Sequence, residues 1–251
     1  MHRSELEQGL RTELQPERFK DYGPNGLQVE GSYEVNHVLC GVTASLDLIQ
    51  EAVRLGADTL LVHHGLFWRG QDGTVKGWMR ERLRLLLKHD INLLAYHLPL
   101  DAHPQWGNNA QLARVLNLRP DPYVRFGDQD LGWTGEPEQG AVSLEDLKAH
   151  VEARLQRSSV CVGDPQRRIQ RVGWCTGGAQ GYFQAAIDLG VDLYITGEIS
   201  EPQAHWARES GVAFLACGHH ATERYGVQAL GQVIHDRWGV KTTFIDIDNP
   251  A

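Results

Sequence analysis

The chain has 251 residues, of which 41% are hydrophobic, and a formal net charge of −8. This length and composition allow one large α/β domain or two of ordinary size with a buried core, and they exclude a disordered chain. The negative charge disfavours a general affinity for nucleic acid, and no apolar run approaches the roughly 18 residues that span a bilayer, so we expect no membrane segment.

Cysteine usage and the first residues bear on the cellular compartment. Residues 1–5 open no apolar segment typical of a secretion signal. The four cysteines are widely spaced and form no C-x-x-C pair. We therefore expect reduced, structural cysteines and a cytoplasmic protein.

Helices and strands alternate along the first half of the chain. A predicted helix at 4–14 precedes apolar runs at 38–43, 59–62 and 92–95, and a further helix begins near Asn109. The helix between the first two runs ends at a glycine that is typical of a helix C-cap. This alternation indicates mostly parallel sheets.

The second half repeats this order. The segment QEAVRLGAD at 50–58 returns as QAAIDLGVD at 184–192. Around it stand a helix at 143–155 that starts with a capping-box serine, apolar runs at 172–177, 193–196 and 212–216, and a helix near Ala221. Residues 120–140, rich in Asp, Gly and Pro, are predicted to connect the copies, with room for a short strand near Trp133. We predict an α/β fold of two copies of one unit, with mixed, mostly parallel sheets, over residues 1–122 and 123–251.

Residues of metal-ligand type stand where the predicted strands end. Such strand ends are where open α/β sheets usually assemble a site. Aligning Asp58 with Asp192 also sets His64 opposite Glu198, so both copies carry a polar group at the same strand end. The candidate residues are His63, His64, His97, Asp101, Glu198, His219, His220 and Glu223.

Imidazoles and carboxylates without thiolates suit Zn, Fe, Mn, Co or Ni in an open site better than a closed structural zinc site. Neighbouring strand residues point to opposite faces, so His63 and His64 can serve one site only where the strand ends at Gly65. There the two rings could address two neighbouring ions. His219 and Glu223 share a face if the following helix has already begun.

Plainer interpretations stay open for several of these residues. The His63-His64 pair can be a solvated turn, and Glu198 can simply end its strand and cap the next helix. His97 and His220 can be ligands, acid–base groups or supporting groups. Asn25, within Pro24-Asn25-Gly26, can contact a substrate or form an ordinary turn.

Several motifs together make the chain resemble the Nif-three-like family of dinuclear metal centre proteins, often labelled GTP cyclohydrolase I type 2 homologues. The resemblance spans nearly the whole chain, with the motifs in the same order. They are Asp21-Tyr22-Gly23-Pro24-Asn25-Gly26-Leu27-Gln28, Leu61-Val62-His63-His64-Gly65-Leu66-Phe67-Trp68, Tyr96-His97-Leu98-Pro99-Leu100-Asp101, Thr196-Gly197-Glu198 and Cys217-Gly218-His219-His220-Ala221-Thr222-Glu223.

The resemblance implies two intertwined copies of the α/β unit around a shared site with two divalent metal ions per chain. It places the metal ligands at His63, His64, Asp101, His219 and Glu223, with Glu223 as the bridge. It also implies a homohexamer, built as a trimer of dimers with the metal sites facing a central cavity.

The function expected from these features is a metal-dependent hydrolase acting on a nucleotide or another small cyclic amide-like substrate. A pair of cations activates water and clamps the attacked group, and we assign the proton transfers to His97 and Glu198. GTP as substrate is implied by the family label alone, since the chain has no G-x-x-x-x-G-K-[ST] phosphate loop. The alternatives are a metal-binding or metallochaperone protein and a ring-shaped scaffold, both without turnover.

Overall fold

The computed structural model describes residues 1–251 and divides into two compact units. The first unit comprises Met1–Gly107 and Gly226–Asp248, and the second comprises Asn108–Tyr225 and Asn249–Ala251. These bounds differ from the expected 1–122 and 123–251. Gly226–Asp248 belongs to the first unit because its strand, Lys241–Phe244, pairs in parallel with a strand of that unit, His37–Thr43.

The first unit contains a five-stranded sheet in the order β1-β4-β3-β2-β13, parallel except for the edge strand β1. Burial is continuous along the inner strands, as expected for parallel strands covered on both faces. Its elements are α1 (Arg3–Leu14), β1 (Gly26–Val29), β2 (His37–Thr43), α2 (Leu46–Leu55), β3 (Thr59–His64), α3 (Gly77–Lys88), β4 (Asn92–Ala95), α4 (Leu98–Ala102) and β13 (Lys241–Phe244).

Two cores cover the two faces of this sheet. Side chains that alternate along β2 divide between them, since Val38 belongs to one core and Leu39 to the other. α1 covers the first face with its buried leucines, and α2 covers the second. Ser45 caps the start of α2, with its hydroxyl accepting the Leu48 amide, and Gly56, with φ 64°, caps its end.

The second unit contains a six-stranded sheet in the order β5-β6-β10-β11-β12-β8 and a short β7-β9 pair. The three strands β10, β11 and β12 are parallel, and antiparallel strands flank them on both sides. The α/β class with mixed sheets is thereby confirmed. The elements are α5 (Asn108–Val115), β5 (Leu118–Phe126), β6 (Gly132–Pro137), β7 (Val142–Ser143), α6 (Leu144–Leu155), β8 (Val160–Val162), β9 (Arg168–Ile169), β10 (Val172–Trp174), α7 (Phe183–Asp188), β11 (Leu193–Thr196), α8 (Glu201–Ser210) and β12 (Ala213–Ala216).

The segment 120–140 contains the short strand predicted near Trp133, which is β6, but it also contains most of β5 and is therefore more than a connection. It forms most of an antiparallel hairpin, β5 and β6, that joins the second sheet. β5 carries Pro120 and Pro122, and its pairing with β6 shifts between Pro120 and Arg125. Proline donates no backbone hydrogen bond, so it is tolerated here because β5 is an edge strand.

α9 (His219–Trp238) is the longest helix, with 20 residues, and the division between the units falls within it. It begins two residues earlier than the predicted start near Ala221. Across the whole chain, none of the helices combines the length and the apolar character that a bilayer crossing requires.

The four cysteines form no disulfide bonds, in agreement with the structural interpretation. Burial of Cys40 in β2 raises the pKa of its thiol to about 12. A thiol with so high a pKa is present as a small apolar side chain rather than as a reactive thiolate.

The internal duplication is visible in one hydrogen-bonding device that occurs in both units. Oδ2 of Asp58, before β3, accepts the amides of Asn36 and His37 at the start of β2. Oδ2 of Asp192, before β11, accepts the amides of Gln170 and Arg171 at the start of β10. Each aspartate therefore fastens the beginning of one parallel strand to the next.

Because the two devices match, Asp58→Ala and Asp192→Ala should lower the free energy of unfolding by similar amounts, about 1–3 kcal/mol each. Urea titration followed by circular dichroism measures this loss. Asp188→Ala is the control, since Asp188 is exposed and bonds only within its own helix, and we expect a change within about 0.5 kcal/mol. A loss confined to one of the two aspartates would contradict the equivalence.

Candidate metal centre

His63 is the most enclosed imidazole of the first unit. It lies near the end of β3 and its side chain is fully buried. Nδ1 lies 3.0 Å from the carbonyl oxygen of Tyr96, directly after the adjacent strand β4, and this acceptor places the proton of the neutral ring on Nδ1. Nε2 then carries the lone pair, and it faces Oδ1 of Asp101 at 3.4 Å.

Asp101 reaches this position because α4 begins directly after His97 and carries Asp101 near its end. The carboxyl group is buried, with 9% of its side chain exposed. A carboxylate oxygen and a ring lone pair repel each other, so this buried pair requires a positive charge between them. A proton or a metal cation would supply that charge.

His64 lies beside His63 at the end of the same strand. Its Nδ1 is 3.2 Å from the hydroxyl of Thr43, its partner in the parallel ladder of β2 and β3. The rings of His63 and His64 approach to 4.5 Å between centroids. The two adjacent histidines thus lie close together at the end of the strand. In a continuing strand their side chains would point to opposite faces.

His97 joins these two histidines from the loop between β4 and α4. Its ring centroid is 5.0 Å from that of His63 and 5.7 Å from that of His64. One ring nitrogen from each of the three lies within 4.8 Å of the others, a grouping that could hold a metal ion. A cavity of about 10 Å³ beside His63, His97 and Trp68 has room for about one water molecule.

The second unit carries its own cluster at the beginning of α9. His219 and Glu223 are four residues apart, and Nε2 of His219 lies 3.1 Å from Oε2 of Glu223, as the predicted shared helical face requires. On the other side of the ring, Nδ1 lies 2.6 Å from Oε1 of Glu198, which follows β11. The ring therefore stands between two carboxylates.

The electrostatics of His219 reflect this setting. Burial alone would lower the pKa of the imidazole, but the hydrogen bonds and charges of Glu223 and Glu198 raise it to about 9. The two carboxylates thus hold one positive charge at this position. A pair of carboxylates at this position can be neutralised either by a protonated histidine or by a bound cation.

The loop Gly177-Gly178 packs against these acids. A Cβ at Gly177, where φ is 69°, would collide with Oε1 of Glu223, so a larger residue would strain the backbone and displace that carboxylate. The hydroxyl of Thr222 accepts the Gly177 amide at 3.0 Å, and that of Thr196 donates to the Gly177 carbonyl at 3.1 Å. These two hydrogen bonds hold the backbone of Gly177 next to the Glu223 side chain.

Comparison with known proteins identifies the family. A family profile described as Duf34/NIF3 (NGG1p interacting factor 3) matches residues 1–250. The chain belongs to the NIF3 family. It is 55% identical over 238 residues to a Neisseria meningitidis serogroup B protein named GTP cyclohydrolase 1 type 2 homolog, a match covering 95% of this chain and 94% of that one.

Further NIF3 relatives support both the membership and the fold. A protein of Escherichia coli K12 with the same name is 47% identical over 256 residues, which cover 100% of both chains. A solved structure described as protein ybgI of unknown function matches with a TM-score of 0.94 and 48% identity over 100% of both chains. The predicted family resemblance is confirmed.

Several polar groups of this NIF3 site escaped the sequence analysis. Asp21 holds Nδ1 of His97 at 2.6 Å, and the Tyr96 carbonyl and the Thr43 hydroxyl orient His63 and His64. No local signal marks these partners, because each belongs to a different segment of the chain. His220, left open as a ligand, donates its backbone amide to the Ala251 carbonyl at 3.2 Å.

Proposed function

We propose that this NIF3-family chain is a hydrolase that uses two divalent cations per chain on a nucleotide or another small cyclic amide-like substrate. The observation that carries the proposal is the fully buried His63, whose Nε2 faces Asp101 while the Tyr96 carbonyl occupies Nδ1. The ligands proposed are His63, His64, Asp101, His219 and Glu223, with Glu223 as the bridge. The name of the bacterial relatives supports a substrate with a heterocyclic base, such as GTP.

The donor set fits divalent metal. In both units an imidazole is held at Nδ1 and turns Nε2 toward a carboxylate, the pattern by which supporting groups orient histidine ligands. Bound cations would supply the charge that acidifies water and polarises the bond under attack. Zn, Mn, Fe, Co and Ni all accept these ligand types.

The chain's own residues position and move the protons in this proposal. His97 is the proposed proton acceptor, since its ring borders those of His63 and His64. Glu198 was also assigned a proton role, but one of its oxygens contacts Nδ1 of His219 and the other lies 3.3 Å from Nε2 of Gln180. This contact supports an orienting role for Glu198.

Hydrolysis by chelated and metal-reconstituted protein tests the proposal. We expect wild-type protein loaded with Zn, Mn, Fe, Co or Ni to hydrolyse GTP or another member of a panel of nucleotides and cyclic amides. We expect chelation to abolish this reaction. His63→Ala should lose turnover by a factor of at least 10². Turnover that survives complete chelation would contradict a metal-dependent mechanism.

The same preparations test the alternatives of a metal-binding protein and a ring-shaped scaffold. From the family resemblance we also propose a homohexamer, which sedimentation velocity measures directly. A metal-loaded protein without turnover on the whole panel favours metal binding or delivery. A hexamer that dissociates on chelation favours a scaffold in which the metal is structural.

A further inference from the structure

The carboxylate of Asp21 is enclosed by hydrogen-bond donors. Oδ1 accepts the Tyr22 amide and Nδ1–H of His97, both at 2.6 Å. Oδ2 accepts Nδ2 of Asn25 at 2.8 Å and the Leu98 amide at 2.9 Å. Only 4% of the side chain is exposed. A buried carboxyl group can accept from all four donors only when it is ionised, because the protonated form carries an O–H of its own.

The pKa of Asp21 agrees with that arrangement. Burial acts to raise the pKa, but the hydrogen bonds and charge of His97, with the bonds from Asn25 and the Tyr22 amide, hold it below its ordinary value. Asp21 is therefore an anion with one imidazole nitrogen as its direct partner. That partner is Nδ1 of His97.

The backbone of His97 is fastened by the same loop. Oδ1 of Asn25 accepts the His97 amide at 2.7 Å, so the side chain of Asn25 is used within the protein rather than left for a substrate. Trp68 stands perpendicular to the His97 ring, 5.0 Å away between centroids. Ring position and orientation are thereby both restricted.

These contacts determine which nitrogen of His97 is open. A carboxylate is an acceptor only, so the neutral ring must carry its proton on Nδ1 and its lone pair on Nε2. The His97 ring lies 5.0 Å from the ring of His63 and 5.7 Å from that of His64, between centroids. Nε2 is therefore the nitrogen available for chemistry at the histidine cluster.

We propose that Asp21 is a positioning residue that locks His97 in the Nδ1–H tautomer and so presents Nε2 as the proton acceptor of the site. The inference rests on the proposed hydrolase for the identity of the proton. Nε2 takes one proton from the attacking water, whose O–H bond breaks, and returns that proton to the leaving group. Asp21 stays ionised and balances the charge of the transient imidazolium.

The second unit shows a related construction. His97 precedes Asp101 by four residues after β4, and His219 precedes Glu223 by four residues after the equivalent strand β12. In both units a carboxylate oxygen lies 2.6 Å from Nδ1 of the histidine. The recurrence supports orientation of the ring as the purpose of Asp21, beyond its bonds to loop amides.

Asp21→Asn separates positioning from loop stability. With its oxygen toward the Leu98 amide, the asparagine loses the bond from the Tyr22 amide, and its NH₂ group faces Nδ1 and would favour the opposite tautomer of His97. Asp58→Asn is the matched control, because Asp58 also accepts backbone amides in the first unit and none of its hydrogen-bond donors is an imidazole ring nitrogen.

Nitrogen-15 NMR of histidine-labelled full-length protein, with zinc and after chelation, reads the tautomer directly. The signals of His97 are assigned by their loss in His97→Gln. In wild type we expect a protonated Nδ1 and an unprotonated Nε2, exchanged in Asp21→Asn and unchanged in Asp58→Asn. An unchanged tautomer in Asp21→Asn, or a zinc-induced shift showing Nε2 to be a metal ligand, would overturn the proposal.

Kinetics supply the second readout. In Asp21→Asn we expect kcat to fall by about 10²–10⁴ with little change in KM or metal content, and Asp58→Asn should keep the wild-type kcat. Equal kcat values in the two variants would overturn the proton role. A wild type without any turnover would contradict the proposed hydrolase, whereas the tautomer would still decide whether Asp21 positions His97.

Discussion

Asp101→Asn and Glu223→Gln should each reduce the metal bound per chain by at least half, from an expected two ions. Each variant keeps the shape of the side chain but removes the negative charge that faces an imidazole Nε2, at 3.4 Å for Asp101 and 3.1 Å for Glu223. Neutral amides are much weaker ligands than carboxylates for these ions. Elemental analysis of untagged protein, dialysed against equal zinc, gives the stoichiometry.

A matched control exists on the exposed helix α8. Glu201 and His205 form another pair four residues apart, at 3.0 Å, but both side chains are exposed. Glu201→Gln should therefore leave the metal content unchanged. Equal losses in Glu201→Gln and Glu223→Gln would mean that any helical His–Glu pair binds zinc in this assay. A folded wild type that takes up no metal would contradict the two-cation mechanism itself.

The features that the sequence predicted are those with local, periodic signals. The apolar runs before His63 and His219 form the strands β3 and β12, and Ser143 caps α6 by accepting the Asp146 amide. The four-residue spacing of His219 and Glu223 places them on one helical face without knowledge of the tertiary fold. Strand ends and helical spacing therefore predicted much of the candidate site.

The features that the sequence analysis missed depend on partners far along the chain. Asp21 and His97 are separated by 76 residues, and nothing near Asp21 indicates an imidazole partner. Asn92, fully buried in β4, accepts the Gly31 amide and donates to the Ser32 carbonyl. No sequence pattern near Asn92 predicts these two hydrogen bonds. The prolines of β5 favoured a loop in the sequence analysis because proline is rare in strands. They are tolerated in β5 because it is an edge strand, which the sequence does not show.

Trp174→Ala should give the largest loss of stability among these substitutions, about 3–5 kcal/mol. Trp174 is the last residue of β10, has no exposed surface and lies in the core of the second unit. Its Nε1 donates to the Asn109 carbonyl at 3.1 Å, so truncation removes a hydrogen bond as well as leaving a cavity. Urea titration followed by far-ultraviolet circular dichroism measures the loss.

Two further tryptophan variants show which part of that loss is specific. Trp174→Phe keeps most of the packing but removes the indole donor, so about 1–3 kcal/mol is expected. Trp78→Ala should cost less than about 1 kcal/mol, since Trp78 is 59% exposed and stacks only with Arg82 among its ring contacts. Equal losses for Trp174→Ala and Trp78→Ala would show that the second core does not depend on Trp174. Because β10 leads directly into the loop of Gly177, which contacts Glu223, such a result would also remove the support that this core gives to the second cluster.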